Sequence, residues 1–224
     1  MRSAPALPLL ILDCDGVLIR SERANLAYYN HLFRAFGLPE VGGDDRERVR
    51  KLHTLSTPQV IDTFFPPELR QRARELARRV DYTRFVPLLE AEPGWHEVLT
   101  ERQGFERVAV ATNRGRSARA VLDAVGLLPL VDRVVTVEEV ARPKPHPDLL
   151  HRCLEVFGVP PARSAYVGDS DLDRRAAAAA GVPFVGYGND GAPGIREPGE
   201  LGPALGKLAQ SRSFGSIRGQ EENP

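Results

Sequence analysis

The chain has 224 residues, enough for one or two domains with a substantial core. Its 30 basic and 30 acidic residues cancel, so no net positive field argues for nucleic acid and no acidic excess argues for an unfolded chain. Cys14 and Cys153 make neither a disulfide framework nor a metal-type cluster, and no apolar run approaches the roughly 18 residues of a membrane helix. A reducing cytoplasm is the expected home, with no membrane and no nucleic-acid partner.

Residues 4–12 loosely imitate a secretion signal, but Pro5, Pro8 and the Asp-Cys-Asp ending make them a lead-in to a strand. That strand, Leu9-Leu10-Ile11-Leu12, runs into Asp13, Asp15 and Gly16. Residues two apart on a strand share a face, and two anions there repel unless a cation or a phosphate-type reaction needs them. Cys14 is expected to pack behind them. A helical pattern follows, Leu26, Tyr29, Phe33 and Phe36, closed by Gly37. Residues 44–53 read as a charged helix. Thr57-Pro58 opens another, as N-cap and first position, and Pro66-Pro67 ends it and opens the next, with Leu69, Ala73, Leu76 and Val80 as its stripe. Strand signals are almost absent between 19 and 89.

From Pro93 strands and helices alternate. A short helix spans 96–102 around a core Trp95, and a strand ends at Ala111. Helix 117–125 is closed by Gly126, and a strand lies around Val135. Helix 147–157 is closed by Gly158, and the next strand ends at Val167. The alanine-rich helix 172–180 is closed by Gly181, and a last strand covers 183–185. Residues 201–209 form one short helix, and disorder is expected from Ser211 onward. Strands separated by such helices imply right-handed crossovers and a mainly parallel sheet. The expected division is a core of residues 1–18 and 90–210, an all-helical insert over 19–89, and a tail over 211–224.

Each strand delivers chemistry just past its C-terminal end. Asp13 and Asp15 follow the first, Thr112-Asn113 the second, Lys144 the loop after the third, and Asp169, with Asp173 four residues on, the fourth. In an open α/β sheet that edge is where ligands bind, so parallel, adjacent strands gather these groups in one crevice.

The order Asp13-x-Asp15-Gly16-Val17, Thr112-Asn113, Lys144-Pro145-x-Pro147 and Gly168-Asp169-Ser170-x-x-Asp173 resembles the haloacid dehalogenase superfamily. A helical insert directly after the first motif is similar to its subfamily I, the group of phosphoglycolate phosphatases and β-phosphoglucomutase. The resemblance implies a Rossmann-like core with a helical cap and a Mg²⁺-dependent phosphatase acting on a small phosphorylated metabolite, as a monomer or weak homodimer. It implies Asp13 as the nucleophile and Asp15 as the general acid and base. The Asp13 carboxylate, the Asp15 backbone carbonyl and Asp169 would hold Mg²⁺. Thr112, the Asn113 backbone and Lys144 would bind the phosphoryl oxygens, and Asp173 would support Lys144 or a metal-bound water. After the first motif this chain has Arg20-Ser21 where the family often has an acid followed by Ser or Thr, and Arg174 stands where an apolar residue is usual.

The chemistry is consistent. Phosphate monoesters hydrolyse so slowly unaided that enzymatic accelerations approach ~10²¹. A carboxylate nucleophile splits the step in two, and an anion attacking an anion needs a hard cation and a lysine beside it. The alternatives are a phosphomutase, which returns the phosphoryl group to a sugar, and a non-catalytic module that binds a phosphorylated metabolite. Dehalogenases of the superfamily generally lack the second aspartate. Arg70, Arg72, Arg74, Arg78 and Arg79, interleaved with Glu68 and Glu75, read as the wet face of a helix. Arg50, Lys51 and His53 are the insert's candidates for reaching a substrate anion.

Overall fold

A computed structural model describes residues 6–102, 104–188 and 194–208. Its centre is a six-stranded parallel sheet of β1 (Leu7–Leu12), β4 (Phe105–Thr112), β5 (Arg133–Thr136), β6 (Ser164–Gly168), β7 (Phe184–Tyr187) and β8 (Gly194–Ile195), in the order β5-β4-β1-β6-β7-β8. Strands β2 (Ile19–Arg20) and β3 (Glu90–Ala91) pair antiparallel apart from it. The mainly parallel α/β expectation is met. The two-residue strands β2, β3 and β8 were not expected, being too short to show alternation.

Successive side chains of β1 point to opposite faces. Leu10 and Leu12 enter one cluster with Val108, Val110, Trp95 and Leu122, while Leu9 and Ile11 enter another with Ala109, Leu150, Tyr166 and Ala177. Helices α5 (Trp95–Glu101) and α6 (Ala118–Ala124) cover the first face, and α7 (Asp148–Phe157) and α8 (Asp171–Ala180) the second. Burial on both faces explains why the strands read as continuous apolar runs. Gly158 and Gly181 close α7 and α8 at φ 63° and 67°, as their positions predicted. Residues 201–208 are helical, whereas Ala209 and the expected tail from Ser211 lie outside the described residues.

Between β2 and β3 lie α1 (Glu22–Ala35), α2 (Arg46–Thr54), α3 (Thr57–Phe64) and α4 (Pro67–Arg79), followed by a 3₁₀ segment, Tyr82–Leu88. They share a cluster of their own around Tyr29, Leu32, Phe33, Val60, Ile61 and Ala73. The cap of α3 falls one residue earlier than expected, at Ser56. The Ser56 amide and hydroxyl both donate to Gln59 Oε1, at 2.9 and 2.8 Å, closing a capping box that Thr57 cannot make. Arg20 and Glu92 form a two-point ion pair beside the β2–β3 neck, at 2.6 and 3.0 Å.

The chain reverses across β1. From β1 it passes to β4 and β5 on one side, then returns to β6 and β7 on the other, so the switch point of the sheet is the C-terminal end of β1. Trp95 braces the loop that leaves it, donating from Nε1 to the Val17 carbonyl at 2.6 Å while fully buried. Trp95→Ala is expected to lower stability by about 3–5 kcal/mol, from the cavity and the orphaned carbonyl. Urea unfolding measures this, and a loss below about 1 kcal/mol would contradict the bracing role.

Candidate active site

The peptide after β1 extends the ladder by one residue, with the Asp13 amide donating to the Val167 carbonyl at 2.9 Å. Asp13 is therefore fixed at the sheet edge, and it is 6% exposed. Its Oδ1 accepts from the Cys14 amide at 2.7 Å and pairs with Lys144 Nζ at 2.7 Å. Cys14 is buried in the cluster behind, as expected.

Lys144 arrives from the loop between β5 and α7 and is 2% exposed. Asn113 holds the loop in place: its Oδ1 accepts from the Lys144 amide at 2.8 Å and its Nδ2 donates to the Lys144 carbonyl at 3.3 Å. The ammonium lies 2.7 Å from both Asp13 Oδ1 and Asp173 Oδ1, and donates to Tyr166 Oη at 3.1 Å. Asp173 enters from the first turn of α8, where Ser170 caps the helix and its amide donates to Asp173 Oδ2 at 3.1 Å. The Tyr166 hydroxyl, on β6, also donates to Asp173, at 2.5 Å.

Asp169 precedes α8. A Cβ added to Gly16, which sits at φ +80°, would fall 2.1 Å from Asp169 Oδ2, so the carboxylate packs directly on the Gly16 backbone. Only glycine gives both that conformation and that approach. Carboxylate oxygens of Asp13, Asp169 and Asp173 lie within 4.8 Å of one another.

One ammonium stands among these three carboxylates. Burial lifts Asp13 well above the usual carboxylate range, with Lys144 opposing and Asp173 and Asp169 adding. Burial and the Asp173 charge push Asp169 up to about 7. Burial also acts on Asp173, but there the Lys144 ion pair and hydrogen bonds from Ser170 and Tyr166 prevail, and its carboxyl is lowered. Lys144 stays charged: burial works against the ammonium, but Asp13 and Asp173 hold it above its ordinary value. The cluster thus carries more buried acid than base.

Asp15 has a different setting. The expectation of two acids on one strand face is corrected: β1 ends at Leu12, both aspartates lie in the loop beyond it, and they pair with different cations, Asp13 with Lys144 and Asp15 with Arg114. Asp15 is gripped by Arg114, whose Nε donates to Oδ2 at 3.0 Å while Nη2 donates to Oδ1. The Ser21 hydroxyl also donates to Oδ1, which gives the unusual Arg20-Ser21 position a partner in the core. Burial raises the Asp15 carboxyl, but Arg114, helped by His53 and Ser21, outweighs it and leaves a value of about 2.

Thr112 is buried at the end of β4, and its Oγ1 accepts from the Arg114 amide at 3.0 Å. It shapes the turn and does not cap a helix, since α6 starts only at Ala118. Asn113 Nδ2 also donates to the Thr54 carbonyl of the insert, at 3.3 Å. Asp13, Asp15, Thr112, Asn113, Lys144 and Asp169 all line one cavity of about 330 Å³, roofed by Tyr28, Tyr29, His53, Ile61 and other insert residues. Of the insert's basic candidates only His53 lines it; Lys51 pairs with Glu47 at 2.7 Å and Arg50 is exposed.

Sequence reasoning missed Arg114 and Tyr166. Arg114 directly follows Thr112-Asn113, and that adjacency was the available signal. Tyr166 lay inside an apolar run and read as core.

The profile of haloacid dehalogenase-like hydrolases matches residues 10–187. A subfamily IA hydrolase of this superfamily from Geobacter sulfurreducens has a crystal structure similar to this chain, at 37% identity and a TM-score of 0.71, covering 91% of this chain and 98% of that one. The pyrophosphatase PpaX of Bacillus pumilus is 28% identical over 79% of this chain and 81% of its own. A phosphoglycolate phosphatase of Rhodobacter capsulatus is 27% identical over 80% of this chain and 84% of its own. The chain belongs to the haloacid dehalogenase-like hydrolase family.

Proposed function

We propose that the protein is a Mg²⁺-dependent phosphatase that hydrolyses a small phosphorylated metabolite through an aspartyl-phosphate on Asp13. The observation that carries this is the buried Asp13 carboxylate at the switch point of the sheet, ion-paired to Lys144 on the polar floor of a cavity. Relatives named as a phosphoglycolate phosphatase and a pyrophosphatase support a small phosphorylated substrate. A cavity of about 330 Å³ supports it too, lying at the small end of ligand pockets. No helix among the described residues is long and apolar enough to cross a membrane.

A magnesium ion fits the residues present. The donors are hard carboxylate oxygens of Asp13 and Asp169, the latter packed on the Gly16 backbone. One lysine stands among three buried carboxyl groups, two of which burial raises above the usual range, and a divalent cation beside them favours their ionised forms. Asp13, Asp169 and the Asp15 carbonyl would hold it, with Asp173 kept for Lys144. Bound there, the ion supplies positive charge to the phosphoryl oxygens.

The chain's own groups then divide the work. Both contacts to Asp13 fall on Oδ1, which leaves Oδ2 to attack phosphorus. Lys144, Thr112 and the Asn113 amide bind the phosphoryl oxygens as charge shifts toward the leaving oxygen. Asp15, kept ionised by Arg114 before substrate arrives, takes up a proton as the anionic phosphoryl group binds beside it and gives that proton to the leaving oxygen as the bond to phosphorus breaks. It then takes a proton from the water that attacks the phosphoryl-aspartate, which frees phosphate and restores Asp13. The insert, residues 19–89, acts as a lid that keeps bulk water from the intermediate.

Asp13→Asn is expected to lower turnover of a phosphorylated-metabolite panel at least ~10³-fold, since a neutral amide cannot accept the phosphoryl group. Retained Mg²⁺-dependent turnover would refute the nucleophile. Run in ¹⁸O-labelled water, the wild type is expected to place label in the released phosphate; an unlabelled, isomerised sugar phosphate with no phosphate released would instead establish the mutase outcome. By calorimetry, Asp169→Asn and Gly16→Ala are each expected to weaken Mg²⁺ binding by about tenfold or more, the second because its methyl displaces Asp169. Unchanged affinity in both would place the ion elsewhere.

A further inference from the structure

Among the described residues, Arg114 is a buried cation that the family motifs leave unused. The Arg114 side chain is 6% exposed, and it reaches across the cavity from the core to the insert. Its Nε and Nη2 hold the two oxygens of Asp15, Nη2 also donates to Asn25 Oδ1 of α1 at 2.8 Å, and Nη1 donates to Ser117 Oγ at 3.2 Å. The face of the guanidinium lies over the Tyr82 ring, 4.6 Å from its centre. Tyr82 in turn donates its hydroxyl to Asn25 Oδ1 at 2.6 Å. A planar fork with this many partners has one orientation, and a bidentate pair transmits that orientation to the carboxylate it holds.

Two of these partners, Asn25 and Tyr82, belong to the insert, while Arg114, Asp15 and Ser117 belong to the core. Lifting the insert would remove the amide and the ring and leave the guanidinium free to swing with Asp15. We propose that Arg114 is a positioning residue for Asp15: it holds the carboxylate in its reacting orientation, and it does so only while Asn25 and Tyr82 are closed over the core. Granted the acid role of Asp15 proposed above, Arg114 touches neither phosphorus nor the leaving oxygen. The proton that Asp15 takes up as the anionic substrate binds passes to the bridging oxygen as the P–O bond breaks and the Asp13–P bond forms, and Arg114 fixes where that proton starts. Closing the lid therefore both shuts out water and sets the acid, through one side chain.

The test uses leaving groups that need a proton to different degrees. p-Nitrophenolate departs without one, whereas an unsubstituted phenol, with a pKa of about 10, gains from one. The full chain with Mg²⁺ is assayed on p-nitrophenyl phosphate and on phenyl phosphate, and the ratio of the two turnover rates is read. In Arg114→Gln the phenyl-to-nitrophenyl ratio is expected to fall at least about tenfold, as in Asp15→Asn. Arg114→Lys, which keeps the charge but not the fork, is expected to recover less than half of that loss. Asn25→Ala is expected to shift the ratio in the same direction by a smaller factor. A merely structural role for Arg114 would lower both rates together and leave the ratio unchanged, and that result would overturn the proposal. So would full recovery in Arg114→Lys, and an unchanged ratio in Asn25→Ala would overturn the link to the insert. An unchanged ratio in Asp15→Asn itself would fault the acid role instead. A shifted ratio there with none in Arg114→Gln would fault Arg114 alone.

Discussion

The site depends on an imbalance of buried charge: Lys144 sits 2.7 Å from two carboxylates, and a third stands in the same group. Taking carboxylates out of water is costly unless each is paired, and a single ammonium cannot pair with three. A fold that buries such a set at its switch point is built to receive positive charge. The Gly16 turn, the Asn113 clasp on the lysine loop and the Ser170 cap of α8 all hold these charges at fixed separations. Apolar packing on both faces of β1 then makes the edge rigid enough to keep them there.

The two aspartates of the first motif illustrate how environment divides roles between like groups. Asp13 shares one lysine with a crowd of acids and is pushed above the usual range, while Asp15 has a guanidinium to itself and is pulled to about 2. Separated environments for neighbouring acids are the usual mark of separate duties in catalysis. The insert's polar contacts reach Asp15 closely, through Arg114 and Ser21, and reach Asp13 more remotely, through the Asn113 side chain that clasps the Lys144 loop.

What could be read from the chain beforehand follows from how local each signal is. Asp13, Thr112 and Asp169 each close a short apolar run, so strand, turn and function lie within a few residues of one another. Parallel neighbours then carry those local signals to a common edge. Gly158 and Gly181 were legible for the same reason, ending helices in the backbone conformation glycine favours. Arg114 was not, because its meaning is set by a partner 99 positions away and it reads as one of 30 basic residues. Tyr166 was hidden by being half core and half hydroxyl. The capping of α3 was open to inspection: Gln59 stands three residues after Ser56, and that reciprocal pair outweighs the Thr-Pro sequence beside it.

The central claim is that Asp13, held by Lys144 in a cluster short of positive charge, becomes the phosphoryl acceptor. The most direct measurement traps the acyl phosphate with borohydride during turnover and maps the reduced residue by mass spectrometry. Conversion of Asp13 to homoserine, dependent on both Mg²⁺ and substrate, is the predicted result. Full turnover with Asp13 recovered unmodified, or with the label on another residue, would contradict the account.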